Sequence, residues 1–305
     1  MLSPQGLKQR SRFIQAVRSF FLDNAYIEVD TPIRLPVLLP ESEIIPFSCE
    51  NRFLHTSPEL CMKRLLSRGA QRIFQICHCF RNHEMGQYHQ TEFTLLEWYH
   101  VGWEYQQLME ECEQLVRHLA ADLASFPALG GNGTLQRDAC TVSLAAPWQR
   151  VSVEAAFDAY AGMSIREALD NDCFEEVLVG EVEPNLGWQA PVFLYDYPVE
   201  LGSLARAKAD APHLAERFEL YICGIELANG FSELVDPVEQ RVRFTAELAG
   251  MQDHGESSGM PEKFLQDLER MEETAGIALG IDRLLMLFMG APCIADVLPF
   301  AGDDL

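Results

Sequence analysis

Two alternating runs, Arg72 to Phe80 and Phe93 to Tyr99, flank a polar stretch from Arg81 to Thr91. Successive side chains on a strand point to opposite faces, so the runs read as one long antiparallel hairpin with a large loop. A chain built on such a hairpin must place its other elements around an antiparallel sheet. Further strands are expected at Tyr26 to Val29, Val192 to Tyr195, Arg217 to Cys223, Gly224 to Leu234 and Gly276 to Gly280. A first helix is capped by Ser3, starts with Pro4, carries Leu7, Ile14, Val17, Phe20 and Phe21, and stops near Asp23-Asn24. Other helices are expected from Pro58 to about Ser67, Glu104 to Leu123, Val238 to Met251 and Asp282 to Met289. Between these lie an irregular Pro-rich segment (33 to 50), an exposed connection (125 to 150), a small helical insertion (151 to 187) and a polar loop (252 to 262). Strands with helices between them, and no alternating parallel series, give an α+β fold.

The chain has 305 residues, enough for one large domain or two small ones. It lacks a Walker phosphate loop and a GxGxxG turn after a strand, so any nucleotide must bind in another way. No apolar run is long enough to span a bilayer, and the first eight residues lack the apolar core of a signal peptide, so the cytoplasm is the expected location. Net charge is -23, from 23 basic and 46 acidic residues. Nucleic-acid binding draws most of its affinity from phosphate neutralisation by basic groups, so tRNA is a poor expected partner. Among nine cysteines, Cys77 and Cys79 flank His78 on one strand. With no second pair of ligands in the sequence, they read as small buried residues rather than a zinc site.

Four segments could carry chemistry. Arg81, where the first hairpin strand meets the loop, could grip a phosphate or carboxylate, or be a surface arginine. Glu97 and Tyr99 share a strand face and could hold an ammonium group, or form a rim ion pair. In the segment from Glu219 to Glu233, Asn229, Phe231 and Glu233 share a face. Glu226 has the opposite parity, so its convergence with them requires a bulge near Ala228 to Gly230. Glu219 and Glu226 near nucleotide phosphates would suit magnesium. Gly276, Ala278 and Gly280 leave one strand face bare for a flat ligand. Asp282 can cap the following helix. Arg283, in the first turn, is at the end where a helix disfavours a cation, which suggests an anionic partner.

In this order the segments resemble the three signature motifs of class II aminoacyl-tRNA synthetases. The first helix with Pro32 resembles motif one, the dimer-forming element. The Arg81 hairpin resembles motif two, and Gly276 to Arg283 resembles motif three. Thr56 to Glu59, Met62 to Leu66, Phe93 to Tyr99 and Gly224 to Leu234 follow the lysyl branch. Ala278, the loop Leu201 to Arg206, and the start of motif one almost at residue 1 with no preceding anticodon-binding OB domain are similar to the elongation factor P lysyltransferase family.

The resemblance implies a single class II synthetase catalytic domain over residues 1 to 305, an antiparallel sheet flanked by helices, with a small insertion at about 125 to 190. It implies a cytoplasmic homodimer that uses ATP and Mg2+ to activate lysine or (R)-β-lysine and transfers it to a lysine side chain of elongation factor P. Arg81 and Arg283 would clamp phosphates, and Asn82, His83, Gln90, Phe93, Glu226, Leu227 and Gly280 would complete the ATP site. Glu59, beside Ser57 and Pro58, would hold the backbone-type amine. Glu97, Tyr99 and Glu233 would hold the remaining ammonium. Asn229, Phe231 and Ala278 would shape that pocket, and Glu219 and Glu226 would hold magnesium. His83 stands where the family has the glutamate that contacts adenine; Glu84 could substitute by a local shift. Rival expectations are an amino-acid ligase with a different acceptor and a non-catalytic amino-acid sensor or scaffold. A tRNA-charging enzyme ranks below both.

Overall fold

The computed structural model describes residues 1–253 and 259–301. In chain order it begins with α1 (Pro4–Asp23), β1 (Ile27–Glu28), β2 (Arg34–Leu35), β3 (Ser48–Cys49), β4 (Arg52–Leu54) and α2 (Glu59–Leu66). The hairpin β5 (Arg72–Phe80) and β6 (Glu92–Val101) follows, then α3 (Tyr105–Asp122). The middle of the chain holds β7 (Leu129–Gly130), β8 (Thr134–Arg137), β9 (Cys140–Ser143), β10 (Gln149–Ser152), α4 (Val153–Tyr160), α5 (Ile165–Asp170) and α6 (Phe174–Val177). The remainder is β11 (Val192–Pro198), β12 (Leu214–Ile222), β13 (Ile225–Ser232), α7 (Pro237–Asp253), α8 (Glu262–Leu268), β14 (Thr274–Gly280) and α9 (Ile281–Met289).

Eight strands form one sheet in the order β1-β5-β6-β14-β13-β12-β11-β10. The six from β5 to β11 are antiparallel to their neighbours; β1 and β10 add parallel edges. Register places residues from five strands in rows. Gln75, Glu97, Ala278, Asn229 and Glu219 are successive partners across the sheet. Ile73, Tyr99, Gly276, Phe231 and Arg217 form the adjoining row. Directly opposite residues share a face, so Gln75, Glu97, Tyr99, Asn229, Arg217 and Glu219 lie on one face. From the other, Phe74, Leu96, Trp98, Ile277, Leu279, Phe218 and Leu220 pack against α1, α3 and α9 in the main core.

The first helix begins as its sequence indicates, with the Ser3 hydroxyl accepting from the Gly6 amide at 3.1 Å. Leu7 departs from the expected stripe and is exposed, while Phe13 and Ala16 are buried. Three expectations are corrected. Residues 125 to 150 are not an exposed connection: β7, β8 and β9 form a small sheet whose Leu135 and Val142 are fully buried in the main core. Residues 33 to 50 contain short pairing strands rather than a wholly irregular path. Asp282 does not cap α9, whose N-cap is Gly280 without a side-chain bond. The expected helical insertion at 151 to 187 is present as α4, α5 and α6 with further helical turns around a second core, Val153, Phe157, Phe174, Leu178 and Tyr197 among its members. The expected polar loop from 252 to 262 lies partly outside the described residues; α8 begins at its end.

Among the described residues, no helix is long and apolar enough to cross a membrane.

Candidate active site

Small residues on β14 make the floor of a cleft. Gly276, Ala278 and Gly280 all line it, and a Cβ at Gly276 would stand 2.5 Å from the Glu233 carboxylate and overlap the Tyr99 ring. Glu97 and Tyr99 rise beside this floor from β6, and Asn229 and Phe231 from β13, as the strand register requires. Ser57 and Glu59 close the cleft from the start of α2. Pro58 is the N-cap of that helix and does not line the cleft.

The acidic groups are held unlike ordinary carboxylates. Glu97 takes a hydrogen bond from the Tyr99 hydroxyl on Oε1 at 2.6 Å, while its Oε2 is buried with no partner. Burial, then the nearby Glu59 carboxylate, pushes Glu97 well above the usual carboxylate range. Burial also raises Glu233 to about 8, against the pull of Lys63. Lys63 is the cation that sequence reading missed. Its ammonium, with 2% of the side chain exposed, pairs with both Glu59 and Glu233. Burial alone would lower the Lys63 pKa, but the two carboxylates outweigh it and raise it. Its position four residues after Glu59 on one helix was the available signal. Glu41 was also missed. It lines the cleft from the Pro-rich segment, raised to about 7 by burial and then by Glu59, with Arg81 and Lys63 acting the other way. That segment has no periodicity from which its direction could be read.

Around Gly280 the lining changes sign. Arg81 lies over the Phe93 ring at 5.3 Å, with its Nε buried and unpartnered. Arg283 donates to the Tyr88 carbonyl at 3.1 Å, to the Glu226 carbonyl at 2.8 Å and to His89 Nε2 at 2.6 Å. Burial, then Arg283, lowers the His89 pKa, which keeps that ring neutral and able to accept. Gln90, Phe93, Glu226 and Leu227 line this end. The register between β12 and β13 shifts between Ala228 and Glu226, so the bulge falls at Leu227, just before the expected span, and brings Glu226 onto the cleft.

Four further predicted residues lie outside the lining. Asn82 and His83 turn away; His83 has φ 63° and is exposed. Glu84 lines the cleft instead, 3.7 Å from Arg81. Glu233 sits behind Lys63 with 1% of its side chain exposed. Glu219 is buried and takes hydrogen bonds from Tyr197 and Tyr221 at 2.5 Å each and from Arg217 at 2.6 Å. A carboxylate has about four lone-pair sites, so Glu219 keeps little capacity for direct coordination. Glu226, with 36% of its side chain exposed, has more. The pair fits a divalent cation as one direct donor and one supporting charge.

Buried Asp282 ties the three sequence segments together. It accepts from Arg10 of α1 at 2.6 Å and from the Thr94 amide of β6 at 2.6 Å, and Arg10 also donates to the Thr94 hydroxyl at 2.8 Å. One cleft thus has a carboxylate-lined part suited to ammonium groups and an arginine-lined part suited to phosphates.

The family model described as tRNA synthetases class II (D, K and N) matches residues 3–304. A protein of Salmonella arizonae named elongation factor P--(R)-beta-lysine ligase is 36% identical, the match covering 99% of this chain and 96% of that one. Proteins with the same name from Proteus mirabilis and Edwardsiella ictaluri are 34% and 35% identical, covering 97% and 98% of this chain and 94% and 95% of their own.

Proposed function

The chain belongs to the class II tRNA synthetase family (D, K and N), and on that premise we propose that it activates lysine or (R)-β-lysine with ATP and passes the acyl group to a lysine side chain of elongation factor P. It is a ligase that uses ATP, as its family and named relatives are. The observation that carries the lysine reading is the unpartnered Oε2 of Glu97, buried beside Tyr99 in a pocket whose carboxylates outnumber Lys63. An uncompensated buried acceptor is costly, and a substrate ammonium would relieve it.

Glu97, Tyr99 and the Glu59–Lys63–Glu233 group hold the substrate's amines, while Asn229, Phe231 and Ala278 shape its chain. Ser57 and Pro58 set the start of the helix that carries Glu59. The substrate carboxylate attacks the α-phosphate in line and the bond to the β-phosphate breaks, releasing pyrophosphate and leaving the aminoacyl adenylate, so no side chain acts as a general base. Arg81 and Arg283 hold the phosphates and stabilise the charge that develops on them. Phe93, Leu227 and Gly280 surround the base, with Gln90 at the rim. Glu84 takes the place of the missing motif-two glutamate, and Asn82 and His83 shape the loop that carries it. Mg2+, held by Glu226 and supported by Glu219, would neutralise phosphate charge. In the second step the acceptor amine displaces AMP from the acyl carbon.

A net charge of -23 supports a protein acceptor over tRNA. Exposed Leu22, Ile27 and Ile33 in the segment resembling motif one support a homodimer. The cytoplasmic location accords with the intracellular acceptor. The insertion belongs to the same catalytic unit, since its β10 pairs with β11.

The activation half is tested by ATP–pyrophosphate exchange with purified protein. Exchange should require lysine or (R)-β-lysine and be lost in Arg81→Ala. Exchange that is absent with both, while lysine still binds, would instead select the sensor reading.

A further inference from the structure

Cys77 and Cys79 project from the cleft side of β5, with their sulfurs 3.8 Å apart. The sequence offered them no second pair of ligands. The fold supplies His55, from the segment between β4 and α2. A ring nitrogen of His55 and the two sulfurs all lie within 4.8 Å of one another, and the imidazole ring approaches Cys79 Sγ to 4.0 Å. A tetrahedral zinc ion, with bonds of about 2.3 Å to sulfur and about 2.0 Å to nitrogen, sets its ligand atoms roughly 3.5–3.8 Å apart. The two sulfurs already stand at that span, and a ring nitrogen lies within 4.8 Å of both. Among the described residues, no other group of three His, Cys, Asp or Glu side chains gathers its ligand atoms this closely.

Two other observations point to a ligand. His55 is fully buried; its Nε2–H donates to the His78 carbonyl at 2.7 Å, and its Nδ1 is buried without a partner. An N–H anchored on a backbone carbonyl is how a metal-binding imidazole is usually oriented. Gln75, two residues before Cys77 on the same face, also leaves its Oε1 buried and unpartnered.

We propose that His55, Cys77 and Cys79 form a binding site for a thiophilic divalent cation of the zinc class, with Gln75 Oε1 or a water as fourth donor. Each thiol releases its proton to solvent as its sulfur takes the metal. The site differs from the Glu219–Glu226 pair in both position and ligand type. It would act as a clamp. His55 leads directly into Thr56 to Glu59, and Cys79 stands two residues before Arg81, so the ion ties the segment that carries Glu59 to the strand that carries Arg81.

The test uses full-length protein, stripped with a chelator and kept reduced. It is titrated with Zn2+ against a chromophoric chelator, and separately with Co2+ followed by absorption. The expected result is one ion per chain, with sulfur-to-cobalt charge transfer in the near ultraviolet and tetrahedral bands in the visible. Zinc should raise the unfolding temperature. Cys77→Ser and Cys79→Ser should each abolish the charge transfer. Each should also weaken zinc retention by more than roughly 100-fold, the upper range for losing a group that merely supports a ligand. Cys49→Ser and Cys140→Ser should change neither. The absence of cobalt–thiolate absorption in the unsubstituted protein would overturn the proposal whether or not the variants fold. So would equal zinc retention by the Cys77→Ser/Cys79→Ser double variant.

Discussion

Ala278 is the partner of Glu97 on one side and of Asn229 on the other, so its methyl group stands between the Glu97 carboxylate proposed to hold an ammonium and the opposite pocket wall. One methyl group discriminates between ligands by about 1–3 kcal/mol. Ala278→Gly should therefore shift the ratio of kcat/KM for (R)-β-lysine over lysine by roughly 10- to 200-fold, measured by pyrophosphate exchange. An unchanged ratio would remove Ala278 from substrate choice. The carboxylates make a second prediction. Glu41 and Glu233 are raised to about 7 and about 8, so near pH 6 both hold protons and attract an ammonium weakly. As pH rises through those values both ionise and affinity increases. KM for lysine should fall roughly tenfold between about pH 6 and about pH 8, and a flat profile would mean that neither carboxylate senses substrate. Glu97, Tyr99, Asn229 and Phe231 were readable in the sequence because strand parity places their side chains. The spacing of Lys63 from Glu59 was a legible signal, but its pairing with Glu233 and the place of Glu41 were not, since an ion pair across elements and the direction of a coil segment depend on the assembled fold.

At the scale of elements, the hairpin β5–β6 was readable because two long strand-like runs flank one polar loop, although β6 is buried on both faces from Thr94 to His100 instead of alternating. The small sheet β7–β9 was hidden because its strands have two to four residues each, too few for a period, and its glycines resemble a linker. The strand β14 leaves no room for a side chain at Gly276. A methyl group at Gly276 would meet the Tyr99 ring and the Glu233 carboxylate, both held by buried partners. Overpacking of this kind costs about 1–3 kcal/mol. Gly276→Ala should lower stability by that amount in denaturant unfolding and raise KM for lysine more than KM for ATP. Equal effects on both substrates would mean that the strand as a whole had shifted.

The whole molecule joins an ATP-using class II core to a strongly acidic chain. Both parts follow from the sequence, one through motif order and the other through 46 acidic against 23 basic residues. The choice of acceptor is the central claim, and its most direct test is the mass of elongation factor P after incubation with this protein, ATP, Mg2+ and either lysine or (R)-β-lysine. The account predicts one added lysyl group on one lysine side chain, with Arg81→Ala inactive and no lysyl-tRNA formed when tRNA is supplied. Unmodified elongation factor P with every lysine isomer, while pyrophosphate exchange proceeds, would contradict it.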